Sequence, residues 1–198
     1  MGQRTSRKLR AGGARLLTAV SLGLGGNESK RPPDPFEEQL LLGLLRAGGT
    51  VLLDKGSGEE EFARANRLAA TVHKQGWPVE HVDATSVQAL LARDDALGCR
   101  LLTWQGGIGA WSGLIAASDE YVGYDSAGQH IAAALGVPTI DIFTPSAAPL
   151  FRQRWRPAGK GVTRIVVEGE SGKESTPEGV LEQVLRQHRE VSDERRST

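Results

Sequence analysis

The feature that most constrains this chain is the stretch from Ser118 to Phe143, SDEYVGYDSAGQHIAAALGVPTIDIF. A short apolar run ends at Gly123-Tyr124-Asp125, and the small-residue turn Ser126-Ala127-Gly128 follows. Next comes a compact helix carrying Ile131, Ala134 and Leu135 on one face; it stops at Gly136, and Pro138 opens a second apolar run from Thr139 to Phe143. Strand, tight turn, helix and strand in so few residues make the βαβ unit of a parallel sheet. Asp125 and Ser126 are good N-cap residues, and the small residues after them let a ligand approach the backbone. The amides that begin such a helix, at the positive end of its dipole, suit a phosphate.

The rest of the chain repeats the alternation. Strands are expected at Leu16–Leu22, Val51–Leu53, Val79–Val82, Leu101–Trp104 and Val162–Val167. Between them, Phe36, Leu40, Leu41, Leu44 and Leu45 lie at helical spacing, as do Phe62, Ala65, Leu68, Ala69 and Val72. Asp34, Pro35 and Glu37 read as cap, first helical residue and capping box of the first of these helices. Short helices are expected after Ser86, over Gly109–Ala117 and over Leu150–Trp155, and a last one follows Ser175-Thr176-Pro177-Glu178 with Val180, Leu181, Val184 and Leu185 inward. Thr144 to Pro149 and Gly169 to Lys173 read as loops. The pattern predicts one Rossmann-like α/β domain over residues 16–188, a doubly wound, mainly parallel sheet. Glycine-rich loops at 23–26, 56–58, 106–107 and 126–128 all follow strands and so fall on the edge where such sheets bind ligands.

Composition narrows the function classes. Lys plus Arg equals Asp plus Glu at 24 each, so net charge points to no nucleic-acid partner. The single cysteine, Cys99, excludes an internal disulfide and fits a reducing compartment; its place before an apolar run marks it as buried and inert. His73, His81 and His188 lack companions at metal-ligand spacing, so neither a metal nor a cofactor is expected. No apolar run approaches a membrane span. Residues 1–15 are basic and without acids; followed by the apolar run to Leu24, they share features with a signal peptide. The shortness and alternation of that run favour a disordered basic leader before the first strand, and residues 189–198 read as a disordered charged tail.

The run Asp125-Ser126-Ala127-Gly128-Gln129-His130, then Ala132-Ala133-Ala134-Leu135-Gly136-Val137-Pro138 and Phe143, resembles the nucleotide-sugar signature of glycosyltransferase family 9, the bacterial heptosyltransferase family of lipopolysaccharide core assembly. The resemblance runs from about Leu16 to Leu185 and matches the C-terminal, donor-binding half of the two-domain GT-B arrangement. It implies a nucleotide-diphosphate sugar, ADP- or UDP-linked, with Asp125, Ser126, Ala127 and Gly128 as the cradle and Asp125 towards the donor sugar. His130 corresponds to the family's histidine, at the phosphate or capping the site. The family's lysine corresponds to Lys30, which would stabilise the leaving diphosphate, with Arg31 as the competing ligand. A ribose-binding glutamate corresponds to Glu59, with Glu60 second. Trp104-Gln105-Gly106 could flank the base. Ala127 stands where many members have glycine, which alters the cradle.

The activity so implied is inverting, metal-independent glycosyl transfer, heptosyl-like, to a lipopolysaccharide or other glycan or glycolipid acceptor. The acceptor site and general base would come from a separate N-terminal domain or subunit, absent from this sequence. Two alternatives stay open: a non-catalytic nucleotide-sugar binding module or split subunit, and a sugar-nucleotide epimerase of the same fold. The implied location is cytoplasmic, with at most peripheral contact with the inner membrane.

Overall fold

The computed structural model describes residues 1–26, 31–143, 149–160, 162–167 and 176–196. Seven strands form one sheet: β1 (Leu17–Ser21), β2 (Thr50–Asp54), β3 (Val79–Asp83), β4 (Leu101–Gln105), β5 (Glu120–Tyr124), β6 (Thr139–Phe143) and β7 (Thr163–Val167). Their order is β3-β4-β2-β1-β5-β6-β7, and every neighbouring pair is parallel. The chain builds outward from β1 to one side and then crosses back to place β5 on the other. The strand order therefore reverses between β1 and β5, where Ser21 stands opposite Gly123. That reversal leaves a crevice at the carboxyl ends of the two strands, where doubly wound sheets take their ligands.

Eight helices are described: α1 (Gly2–Ala11), α2 (Phe36–Arg46), α3 (Glu59–Lys74), α4 (Val87–Ala92), α5 (Ile108–Ile115), α6 (Ala127–Ala134), α7 (Pro149–Trp155) and α8 (Pro177–Arg196). One core lies under α2, α3 and α8, where Phe36, Leu40, Leu41, Leu44 and Leu45 meet Val20, Val51, Leu53, Val122 and Val184. The other lies under α1, α4, α5 and α6, where Leu9, Leu91, Trp111, Leu114 and Ala132 meet Leu17, Ala19, Leu52 and Tyr121. Central strands are apolar on both faces because both are covered, which explains their continuous rather than alternating hydrophobicity.

Four expectations need correction. Residues 1–15 are not a disordered leader; ten of them form α1, which docks on α5. Its buried face is Gly2, Thr5, Ser6 and Leu9, helically spaced but small and polar, so hydrophobic periodicity hardly registers it. Arg10 then closes a double hydrogen bond on Asp119, at 2.9 and 2.8 Å. The C-terminal tail is likewise helical to Arg196, because Val191 is buried and Glu190 and Glu194 pair with Arg164. At α2 the capping box does not form: Pro35 is the N-cap, and the Glu37 side chain turns into the protein. On α6 the inward face is Gly128, Gln129, Ala132 and Ala133, whereas Ala134 and Leu135 are exposed. The expected loops at 144–148 and 169–173 lie outside the described residues.

Candidate functional site

An open cavity of about 300 Å³ sits over the β1–β5 reversal. Its lining comes from four strand ends and the loops or helix starts after them: Ser21, Gly23 and Gly25 after β1; Asp54, Gly56 and Ser57 after β2; Gly106, Ile108 and Trp111 after β4; and Ser126, Ala127 and Gly128 after β5, with Glu61 from α3. The four glycine-rich loops singled out in the sequence thus converge on one space.

The turn after β5 is built by close packing. Ser126 is the N-cap of α6 in extended backbone, and no side chain hydrogen-bonds to the amides of the first turn. Gly128 lies against the ring of Tyr121, so that a Cβ at this position would stand 2.8 Å from the phenol Cζ. Glycine is needed here for backbone approach rather than for a positive φ. The Tyr121 phenol is fully buried beneath the turn, and that burial pushes its pKa up. Helix α5 also begins at this cavity, from Gly107, with no side-chain cap. Two uncapped helix N-termini therefore bring the positive ends of their dipoles to one wall, each favouring an anion by about 0.3–1 kcal/mol at an exposed site. The Ser126 hydroxyl lies at the Tyr121 phenol, and the buried Trp111 indole N–H adds a polar group without a hydrogen-bond partner among the described residues.

The carboxylates of the cavity are tied to its frame. Glu61 accepts the Leu24 N–H at 3.0 Å through one oxygen and the Ser57 N–H at 3.1 Å through the other. It thereby clips the loop after β1 to the loop after β2. Asp54 accepts the Gly56 N–H at 3.2 Å and the Ser21 hydroxyl at 3.4 Å. Burial raises its pKa, and the nearby Glu61 acts in the same direction, against those two hydrogen bonds.

The residues expected from the sequence divide into three groups. Ser126, Ala127 and Gly128 line the cavity, and Asp125 lies directly behind them, its Oδ1 accepting the Gln129 side-chain N–H at 2.7 Å. His130 stands aside from the lining, 6.4 Å from Trp155 between ring centroids. Glu59 and Glu60 are exposed in the first turn of α3, and the lining glutamate is Glu61. Arg31 faces a different cavity, of about 350 Å³, shared with Arg64 and Arg67. There it pairs with Asp34 at 2.5 Å and approaches Glu37 at 3.9 Å. Lys30 lies outside the described residues. Trp104 is core, and its ring occupies the space that a Cβ on Gly106 would need.

Sequence reasoning passed over Ser21, Asp54, Ser57, Glu61, Ile108 and Trp111. One signal was available for Glu61. With Gly58 as N-cap, Glu61 is the third helical residue, the position from which a glutamate reaches back to the amides before the helix. Three consecutive glutamates concealed that register.

No helix among the described residues is long and apolar enough to cross a membrane. No curated protein matches the chain in sequence. Among solved structures, the E. coli heptosyltransferase WaaC with ADP aligns at TM-score 0.56 and 20% identity, covering 86% of this chain and 44% of WaaC. The E. coli ADP-heptose LPS heptosyltransferase II aligns at 0.58 and 22%, covering 94% and 52%. A glycosyl transferase family 9 protein from Veillonella parvula aligns at 0.60 and 13%, covering 96% and 51%. The chain thus spans about half the length of each, and at these identities the likeness concerns the fold. Residues 38–184 match the profile of glycosyltransferase family 9 (heptosyltransferase), a span containing three of the four strand ends that line the cavity. The chain belongs to glycosyltransferase family 9.

Proposed function

We propose that the cavity over the β1–β5 reversal binds the diphosphate of a nucleotide-sugar donor, and that the chain is the donor-binding part of an inverting, metal-independent glycosyltransferase. The observation that carries this reading is the meeting of two uncapped helix N-termini, α5 and α6, at one cavity beside a glycine packed for close backbone approach. The E. coli WaaC structures with ADP and with ADP-2-deoxy-2-fluoro heptose support an ADP-linked sugar; a UDP-linked one is the competing donor.

In this reading the amides of Ala127 and Gly128, with the Ser126 hydroxyl, hold the phosphate oxygens. Asp125, behind the cradle, is assigned to the sugar, whose hydroxyls a carboxylate can accept. His130 borders the site from the α7 side. A glutamate of the Glu59–Glu61 run takes the ribose hydroxyls, and Glu61 has the better position. Lys30, next to Arg31 in sequence, supplies the cation that stabilises the diphosphate as the sugar bond breaks, where charge develops. Inverting transfer also needs a base to take the acceptor proton as its hydroxyl attacks the anomeric carbon. We assign that base, and the site for a glycan or glycolipid acceptor, to a separate domain or subunit, consistent with the half-length span. The setting we propose is bacterial and cytoplasmic, with at most peripheral membrane contact.

Calorimetric titration with ADP, UDP and an ADP-sugar, followed by an assay of nucleotide release with and without a glycan acceptor, tests this. Binding with acceptor-dependent release is the expected result for the complete system. Binding without release by this chain under any acceptor condition favours a non-catalytic binding module. Isomerisation of the sugar without acceptor favours an epimerase. No binding of any nucleoside diphosphate ends the reading.

A further inference from the structure

Glu37 is 2% exposed although it carries a carboxylate. Its Oε1 accepts the Tyr124 hydroxyl at 3.1 Å, and its Oε2 lies 3.4 Å from Arg64 Nε. Arg64, itself 7% exposed, donates from its terminal nitrogen to the Leu22 carbonyl at 2.5 Å. Arg31 Nε approaches the same carboxylate from the solvent side at 3.9 Å. A buried carboxylate is tolerated only when its charge is met, and here guanidinium groups and a phenol meet it.

What these partners join matters more than their number. Tyr124 is the last residue of β5 and immediately precedes Asp125 and the cradle; Leu22 immediately follows the last residue of β1. These two strands are the neighbours between which the crevice opens, and Ser21 and Gly123 are in register there. Glu37 comes from neither strand. It reaches in from the first turn of α2, on the sheet face covered by α2 and α3, and ties the end of β5 to the end of β1 through Arg64. The hydrogen bonds of a parallel ladder finish where the strands finish, so beyond Gly123 the spacing of the two lips depends on such side-chain ties.

We infer that Glu37 is a positioning residue for the cavity: together with Arg64 and Tyr124 it sets the separation of the Leu22 loop from the Asp125–Gly128 cradle, and through it the affinity for a nucleoside diphosphate. The part of this inference that concerns affinity rests on the donor-site reading above; the part that concerns the two lips does not. A merely space-filling role would be met by any side chain of similar volume. A positioning role requires an acceptor for Tyr124 and a partner for Arg64.

Three variants separate these roles: Glu37→Met, which keeps volume and removes the acceptor; Glu37→Gln, which keeps one acceptor oxygen; and Tyr124→Phe, which removes one donor and leaves the carboxylate paired. Hydrogen–deuterium exchange is read on the ligand-free proteins and ADP affinity by calorimetry, after circular dichroism has shown each folded. Expected are faster exchange in both 22–24 and 125–128 for Glu37→Met, and ADP affinity lower by at least about tenfold, the scale of one lost charge-assisted hydrogen bond. Glu37→Gln should recover part of both effects, and Tyr124→Phe should loosen 125–128 more than 22–24. Exchange that rises only within α2, or Glu37→Met binding ADP as tightly as the unaltered chain, overturns the inference. If the unaltered chain binds neither ADP nor UDP, the donor reading fails, and the exchange at the two lips alone decides the inference.

Discussion

The ring of Tyr121 occupies the space that a side chain on Gly128 would enter: an added Cβ would lie 2.8 Å from the phenol Cζ, 2.9 Å from Cε2 and closer still to the hydroxyl oxygen. Gly128→Ala must therefore push α6 away from β5. The expected cost is about 1–3 kcal/mol, typical of overpacking, together with loss of nucleoside diphosphate binding. Tyr121→Phe should not restore binding to Gly128→Ala, because the ring carbons clash as well as the hydroxyl. Urea melts and calorimetric titrations of both variants and the pair check this.

Glu61 separates from its neighbours in sequence. Both of its oxygens hold backbone amides, of Leu24 and Ser57, so Glu61→Ala releases two loops of the cavity at once. A stability loss of about 1 kcal/mol is expected, chiefly from the half-buried Leu24 N–H left unmet, since the Ser57 N–H is exposed to water. Glu59→Ala and Glu60→Ala, in exposed positions, should change stability by no more than about 0.5 kcal/mol. A Glu59→Ala variant that lowers nucleotide affinity while leaving stability alone would return the ribose role to Glu59.

The buried pair of Glu120 and His188 lies in the covered core, the ring Nδ1 3.0 Å from Glu120 Oε2, and both residues are fully buried. His188→Ala strands a carboxylate and should cost about 3–5 kcal/mol in chemical denaturation. Burial raises the pKa of Glu120, opposed by His188 and Arg164 and aided by Asp119. A raised carboxyl pKa means the folded state holds the proton more tightly than the unfolded one. Its contribution is thus present below the ordinary glutamate value and is lost as pH rises through the folded value. Relative to Glu120→Gln, which has no such titration, the unaltered chain should lose stability as pH increases from about 4.5. Urea midpoints across a pH series measure the slope.

Cys99 is buried, and burial pushes its thiol up to about 11, with Glu80 acting in the same direction. Since the thiolate is the reactive form, the native protein should not react with a thiol-specific disulfide reagent at pH 8 on the timescale in which the denaturant-unfolded chain reacts fully.

Much of this architecture was legible in the chain. Leucines at helical spacing in α2 and the sequence Tyr124-Asp125-Ser126-Ala127-Gly128 are patterns set within a few residues, by side-chain periodicity and turn chemistry, and they survive in the structure unchanged. The convergence of four glycine-rich loops followed from their common position after parallel strands. Helix α1 was missed because its docking face is Gly2, Thr5, Ser6 and Leu9, a contact surface with little hydrophobic signature.

The sequence by itself determined the alternation of strand and helix, the cradle turn and the family, because each is written in residues adjacent along the chain. Tertiary structure alone decided that Glu61 rather than Glu59 lines the cavity, that Arg31 turns to a second cavity, and that Glu37 bridges two strands instead of capping its own helix. Each of those outcomes depends on where a side chain points once strands have taken their order and helices their rotation. That direction is set by partners dozens of residues away, such as Tyr124 for Glu37, and no local pattern carries it.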